Sequence, residues 1–229
     1  MVINKIKFPL YGIIIVLAVF IGMWYIYRNL EKEKCKRNEI YLYFIMYIPF
    51  AFIFGKIYTV FAYGESDFLT AGLSAYGGLI GVIIAAIIYE KIVPNKGKVI
   101  KYTVLSLPLV YGITKIACAI TGCCSGIPYS GLFKVKYPQA MNIWQFPVQI
   151  TETIVFLLIF LICRTLSKNK NINYIVLSLV AIFKFLLDFL RYDHLKILIT
   201  KNQIFSIILL LVVIIMYIIN KNKDLKNKC

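Results

Sequence analysis

Charged side chains interrupt the longest apolar runs of this chain: Lys56, Lys115, Glu152, Lys184 and Asp188 lie inside them, and Arg191 closes one. A charge in hydrocarbon costs on the order of 3 kcal/mol unless it is paired or reaches water, so such residues mark function by default. Lys184 and Asp188 are four residues apart on one helix face and are expected to neutralise each other. Lys115, Glu152 and Arg191 have no such local answer. Tyr11 and Tyr76 add phenols near span ends, although Tyr11 alone also fits the belt of Tyr, Lys and Arg at membrane surfaces. The stretch Tyr76-Gly77-Gly78-Leu79-Ile80-Gly81 opens a hydrophobic run with glycines where Leu, Ile or Val is usual. Glycines there admit either a neighbouring helix backbone or a lipid headgroup. The stretch Gly122-Cys123-Cys124-Ser125-Gly126-Ile127-Pro128 ends another run with a turn. Its backbone N–H groups would bind an anionic phosphate or be capped by water.

These residues must be held by membrane spans. The chain has 229 residues, is 61% hydrophobic and has a mean hydropathy of +0.80, which excludes an ordinary soluble domain. The apolar runs predict an all-α integral membrane domain of seven spans, at 8–28, 41–62, 70–90, 99–121, 146–164, 172–190 and 203–220. The first is longer than a signal-peptide core and lacks a small-residue cleavage site, so it is expected to be retained.

Charge orients the spans. The N-terminus and the even-numbered loops carry 7 Lys or Arg; the odd-numbered loops and the C-terminus carry 16. The positive-inside rule then puts the N-terminus outside and the C-terminus in the cytoplasm. That orientation brings Tyr11, Tyr76, Lys115, Glu152 and Arg191 into one outer-leaflet layer. The formal net charge of +16 suits anionic lipid surfaces, and its scatter over span ends argues against nucleic acid. Six cysteines include no CxxC pair, and His194 is the sole histidine, so no metal site of ordinary spacing is expected. The adjacent Cys123 and Cys124 would need backbone strain to bridge each other, which favours a structural role.

Taken in order, the motifs resemble those of the prolipoprotein diacylglyceryl transferases over nearly the whole chain. Tyr11-Gly12 looks like that family's Tyr-Gly. Gly55-Lys56 sits where the family has a Gly-Ala-Arg-like element, and Tyr76 to Gly81 looks like its His-Gly-Gly-Leu-Ile-Gly. Lys115 to Pro128 lies over its long signature, which begins Gly-Arg and ends Gly-x-Pro. Phe146-Pro147-Val148-Gln149-Ile150-Thr151-Glu152 is similar to its His-Pro-x-Gln-Leu-Tyr-Glu. Phe189-Leu190-Arg191, followed by Asn202-Gln203-Ile204-Phe205-Ser206, resembles its Phe-x-Arg and Gly-Gln-x-x-Ser.

The resemblance implies a cofactor-free enzyme of a bacterial-type plasma membrane. It would move diacylglyceryl from phosphatidylglycerol, or a related anionic phospholipid, to a cysteine thiol, with a lipobox-bearing secreted precursor as acceptor. Arg191 and Lys115 would hold the phosphate, Tyr76 would orient or deprotonate the acceptor, and Tyr11 would bond a glycerol hydroxyl. Gly77, Gly78, Gly126, Gln149 and Glu152 would line the substrate site. The chain departs from the pattern where Tyr76 replaces His, Lys115 replaces Arg, and Cys118, Thr121 and Cys123 replace Asn, Asn and Glu. A phenol is a poor base at neutral pH, and an ammonium lacks the guanidinium fork. A phospholipid-binding paralogue that lost catalysis or changed acceptor is the alternative, with a small transporter ranked below it.

Overall fold

In a bilayer the backbone must close its own hydrogen bonds, and apolar runs of this length do so as helices. The computed structural model describes residues 2–64, 67–68, 72–93, 97–137 and 143–226, without the side chains of 2–9, 63 and 224–226. Its helices are α1 (Val2–Lys32), α2 (Arg37–Tyr63), α3 (Ala75–Ile92), α4 (Lys98–Thr121), α5 (Val148–Thr165), α6 (Ile172–Asp188) and α7 (Lys201–Lys226). The seven expected spans are therefore seven helices, of which six are long and apolar enough to cross a membrane by themselves. The exception is α6, whose 17 residues extend about 26 Å at ~1.5 Å per residue. Residues 65–66 and 69–71 lie outside the described set, and the expected start of the third span at 70 falls among them.

The chain divides into two compact units. One comprises Met1–Ala18 and Tyr111–Cys229, the other Val19–Val110. In the second unit α2 packs on α3 through glycine. A Cβ added at Gly77 would overlap the Phe54 carbonyl oxygen, and one at Gly81 would overlap that of Phe50. The helices meet backbone to backbone because those residues have no side chain. Buried hydroxyls in this unit pair with neutral groups: Tyr43 and Thr103 share a hydrogen bond of 2.7 Å, and the Tyr89 hydroxyl donates to the Glu39 carbonyl at 2.7 Å.

In the first unit α6 packs between α5 and α7. Two predicted helix ends move inward here. Phe146 was expected in the fifth span, but its N–H donates to the Ile127 carbonyl at 2.9 Å and α5 begins at Val148. Leu190 was expected in the sixth, but its carbonyl accepts from the Ile127 N–H at 3.0 Å and α6 ends at Asp188. The intervening segment runs as a strand between two neighbours. The Tyr192 N–H donates to Ser125 at 2.9 Å, and the Tyr129 N–H donates to Trp144 at 3.0 Å. A short antiparallel pair, β1 (Val135–Lys136) with β2 (Trp144–Gln145), flanks it, with Val135 opposite Gln145. Of the turn after span four, whose N–H groups were open to an anionic phosphate or to water, those of Ile127 and Tyr129 are taken by backbone carbonyls.

Candidate functional site

One carboxylate organises the first unit. Glu152, on the second turn of α5, is fully buried. Its oxygens meet the Lys115 ammonium of α4 at 3.0 Å, the Lys184 ammonium of α6, and the Arg191 guanidinium at 3.0 and 3.2 Å. Asp188 adds a second carboxylate, 3.2 Å from Arg191 Nε and 3.9 Å from Lys184. Pairing Lys184 with Asp188 alone was the sequence expectation; the structure corrects it, giving Lys184 chiefly to Glu152. Among the described residues, Lys115, Lys184 and Arg191 meet two carboxylates, Glu152 and Asp188, so three basic groups share two acidic side chains.

The neighbours of this cluster are built to hold it. Tyr111, one turn before Lys115, presents its ring 5.0 Å from the Lys115 ammonium and 5.5 Å from that of Lys184. The same ring rests on Phe156 with centroids 4.4 Å apart. Sequence reasoning missed Tyr111 and Lys184 as members of the site. The signal was present in their spacing, since Tyr111 and Lys115, like Lys184, Asp188 and Arg191, fall on common helix faces.

Arg191 is positioned by backbone. It is extended (φ −91°, ψ 148°) and pairs across from Gly126 as an antiparallel bridge. A Cβ at Gly126 would collide with the Phe146 carbonyl, so glycine is what allows three backbones to pass at this point. Asp188 accepts a hydrogen bond from the Thr200 hydroxyl. Thr200 in turn caps α7: its hydroxyl accepts from the Gln203 N–H at 3.2 Å, while Gln203 Oε1 accepts from the Thr200 N–H at 3.1 Å. This reciprocal capping box fixes the start of α7 on the end of α6.

Gln149 lies one turn before Glu152 and is buried. Its amide nitrogen donates to the carbonyls of Cys123 and Cys124 at 2.6 and 3.1 Å, and its oxygen accepts from Tyr137 at 3.2 Å. These contacts make it a clamp on the turn after α4. That turn gathers Cys118, Cys123 and Cys124, whose sulfurs all lie within 4.8 Å of one another. Thiol hydrogen bonds from Cys118 and Cys123 hold Cys124 well below the usual thiol range, helped by the charges of Lys115 and Arg191 and opposed by burial. Tyr11 of α1 lies within electrostatic reach of the same thiols and of Lys115.

Of the residues picked out by sequence, Tyr11, Lys115, Gly126, Gln149, Glu152 and Arg191 belong to the first unit, and Tyr76, Gly77 and Gly78 to the second. The Tyr76 ring lies 5.8 Å from that of Tyr58. The face of Gly77 expected to receive a headgroup is occupied by α2, whereas Gly78 has no closer neighbour than the Ala51 carbonyl, 3.7 Å from an added Cβ. Lys56, also in the second unit, donates to the Phe68 carbonyl at 3.1 Å and lies over the Phe52 and Phe68 rings.

The pattern of the family described as prolipoprotein diacylglyceryl transferase matches residues 1–219. A protein of Clostridioides difficile named phosphatidylglycerol–prolipoprotein diacylglyceryl transferase is 27% identical over 234 residues, covering 93% of this chain and 92% of that protein. A Bacillus cereus protein of the same name is 30% identical over 95 residues, 37% of this chain and 35% of the relative. One from Chloroherpeton thalassium is 24% identical over 163 residues, 66% and 60% of the two chains. With the helices, the motif order and these matches in agreement, the chain belongs to the prolipoprotein diacylglyceryl transferase family.

Proposed function

We infer that this chain transfers the diacylglyceryl group of phosphatidylglycerol to a cysteine thiol of a lipoprotein precursor. The observation that carries the reading is the buried basic cluster: three basic side chains meet two carboxylates at Glu152. Like charges held together in a low-dielectric interior repel, and a phosphate anion relieves that cost. In the reaction the acceptor sulfur bonds to the glyceryl carbon, the carbon–oxygen bond to phosphate breaks, and glycerol phosphate leaves with the electron pair. Negative charge grows on the departing phosphate, where fixed cations lower the barrier most.

In this reading Arg191 and Lys115 grip the phosphate, and Glu152 keeps them aimed. Tyr11 bonds a glycerol hydroxyl, and Gly126 and Gln149 position the turn beside Arg191. For Tyr76 and Gly78, in the second unit, the family resemblance alone supplies a role: orienting or deprotonating the thiol, and offering backbone to the headgroup. The loop charge bias supports an outside N-terminus, a cytoplasmic C-terminus and a reaction at the outer leaflet of the bacterial plasma membrane, on a lipobox cysteine of a secreted precursor.

The deciding experiment is expression in cells lacking their own transferase. Restored lipidation of a reporter lipoprotein is the expected result, lost on Arg191→Ala. Full activity in that variant would remove the phosphate grip. A second reading, a phospholipid-binding paralogue without catalysis, is favoured by Tyr76 standing where the family pattern has His. Phosphatidylglycerol retention without lipidation would select it.

A further inference from the structure

The vicinal cysteines gain a partner in the folded chain that sequence spacing does not suggest. Cys118 lies on the last turn of α4, and Gly122 ends that helix in the left-handed conformation (φ +74°), its N–H donating to the Cys118 carbonyl at 2.9 Å. Cys124 is itself left-handed at φ +58°, a conformation that costs a residue with a Cβ about 1 kcal/mol. The two reversals fold the turn back over the helix end, and all three sulfurs come within 4.8 Å of one another. Gln149 then fixes the turn by its bonds to the Cys123 and Cys124 carbonyls, while Thr121 donates its hydroxyl to the Cys123 sulfur at 3.5 Å. The donors are therefore held from two helices. Tetrahedral zinc with Zn–S bonds of ~2.3 Å needs sulfurs about 3.8 Å apart, within the 4.8 Å that bounds these three.

We propose that Cys118, Cys123 and Cys124 form a three-thiolate site for a zinc ion, with the fourth coordination position open to an incoming thiol. Soft thiolate donors select such an ion, and three protein ligands with an open position are the pattern of sites that bind a reactant. The placement relative to the cation cluster gives the site a use. Cys118 follows Lys115 by three residues on α4, and Gln149 precedes Glu152 by three on α5, so thiols and cations form adjacent layers on the same helix pair. The site rests on the transfer reading for its role: an acceptor thiol that coordinates there releases its proton to water. Its sulfur then bonds to the glyceryl carbon as the carbon–oxygen bond to phosphate breaks.

The test separates metal from activity. The full chain, purified in detergent under reducing conditions and equilibrated with zinc, is expected to hold one equivalent. Cys118→Ser, Cys123→Ser and Cys124→Ser should each lower retention at least tenfold, while Cys35→Ser and Cys163→Ser should not. Cobalt in place of zinc should give sulfur-to-metal charge-transfer bands that shift when a small thiol is added. Helical circular dichroism and elution volume of each variant show whether it is folded; if Cys118→Ser unfolds, the Cys123→Ser and Cys124→Ser variants decide. Zinc absent from the wild type, zinc retained by the triple serine variant, or a disulfide among these residues would overturn the site. Zinc bound with no turnover of phosphatidylglycerol would instead sink the transfer reading and leave the site standing.

Discussion

The α2–α3 pair and the Glu152 cluster both hold helices together in an apolar medium, and they do so by opposite means. In the first, Gly77 and Gly81 bring backbones into contact, and the Tyr89 hydroxyl of α3 donates to the Glu39 carbonyl of α2. In the second, buried ammonium, guanidinium and carboxylate groups from α4, α5 and the end of α6 converge on one oxygen pair. Contact between backbones can be complete in itself. A cluster of three basic groups on two carboxylates has room for a further anion, which is why the functional reading attaches to the second region. The glycine motif looks more diagnostic in the sequence, yet the contacts of Gly77 and Gly81 are those of packing.

The contrast can be broken by charge. Glu152→Ala leaves Lys184 and Arg191 with Asp188 and takes from Lys115 its carboxylate, and it should destabilise the protein by about 3–5 kcal/mol. Thermal unfolding in detergent reads this; an unchanged midpoint would show the cluster to be well solvated. Adding Lys184→Met to that variant removes one of the orphaned cations and should recover part of the loss.

It can be sharpened by volume. Gly81→Leu changes no charge but drives a side chain into the Phe50 backbone, and about 1–3 kcal/mol of destabilisation is expected. The same unfolding measurement on Gly78→Ala should fall within about 0.5 kcal/mol of wild type, because its nearest neighbour is in ordinary contact. Equal effects at the two glycines would deny that α2 contact distinguishes them. The smallest expected effect in the charged region is at its edge. Thr200→Val loses both the α7 cap and the bond to Asp188, costing about 1–2 kcal/mol, with the cations left in place.

Helix number was legible in the sequence because apolar runs of bilayer length have few alternatives. Helix ends at 146 and 190 were not, because local hydropathy cannot see that Phe146 and Leu190 are claimed by Ile127 from another part of the chain. Lys115, Glu152 and Arg191 were found as charges without a local partner. Their partner was one another, and that required the fold. Lys184 was set aside because a nearer carboxylate existed at i+4; the structure favours Glu152, 32 residues away. The three-thiol cluster was hidden because helix-end reversal at Gly122 and Cys124, rather than CxxC spacing, creates it.

The most direct test of the buried basic cluster is native mass spectrometry of the full chain extracted from membranes containing both phosphatidylglycerol and phosphatidylethanolamine. Wild-type protein should retain phosphatidylglycerol preferentially, and folded Arg191→Gln, in which one of the three basic groups is gone, should lose that preference. Equal retention of phosphatidylglycerol by both proteins would contradict the assignment of the Glu152 cluster to the phosphate.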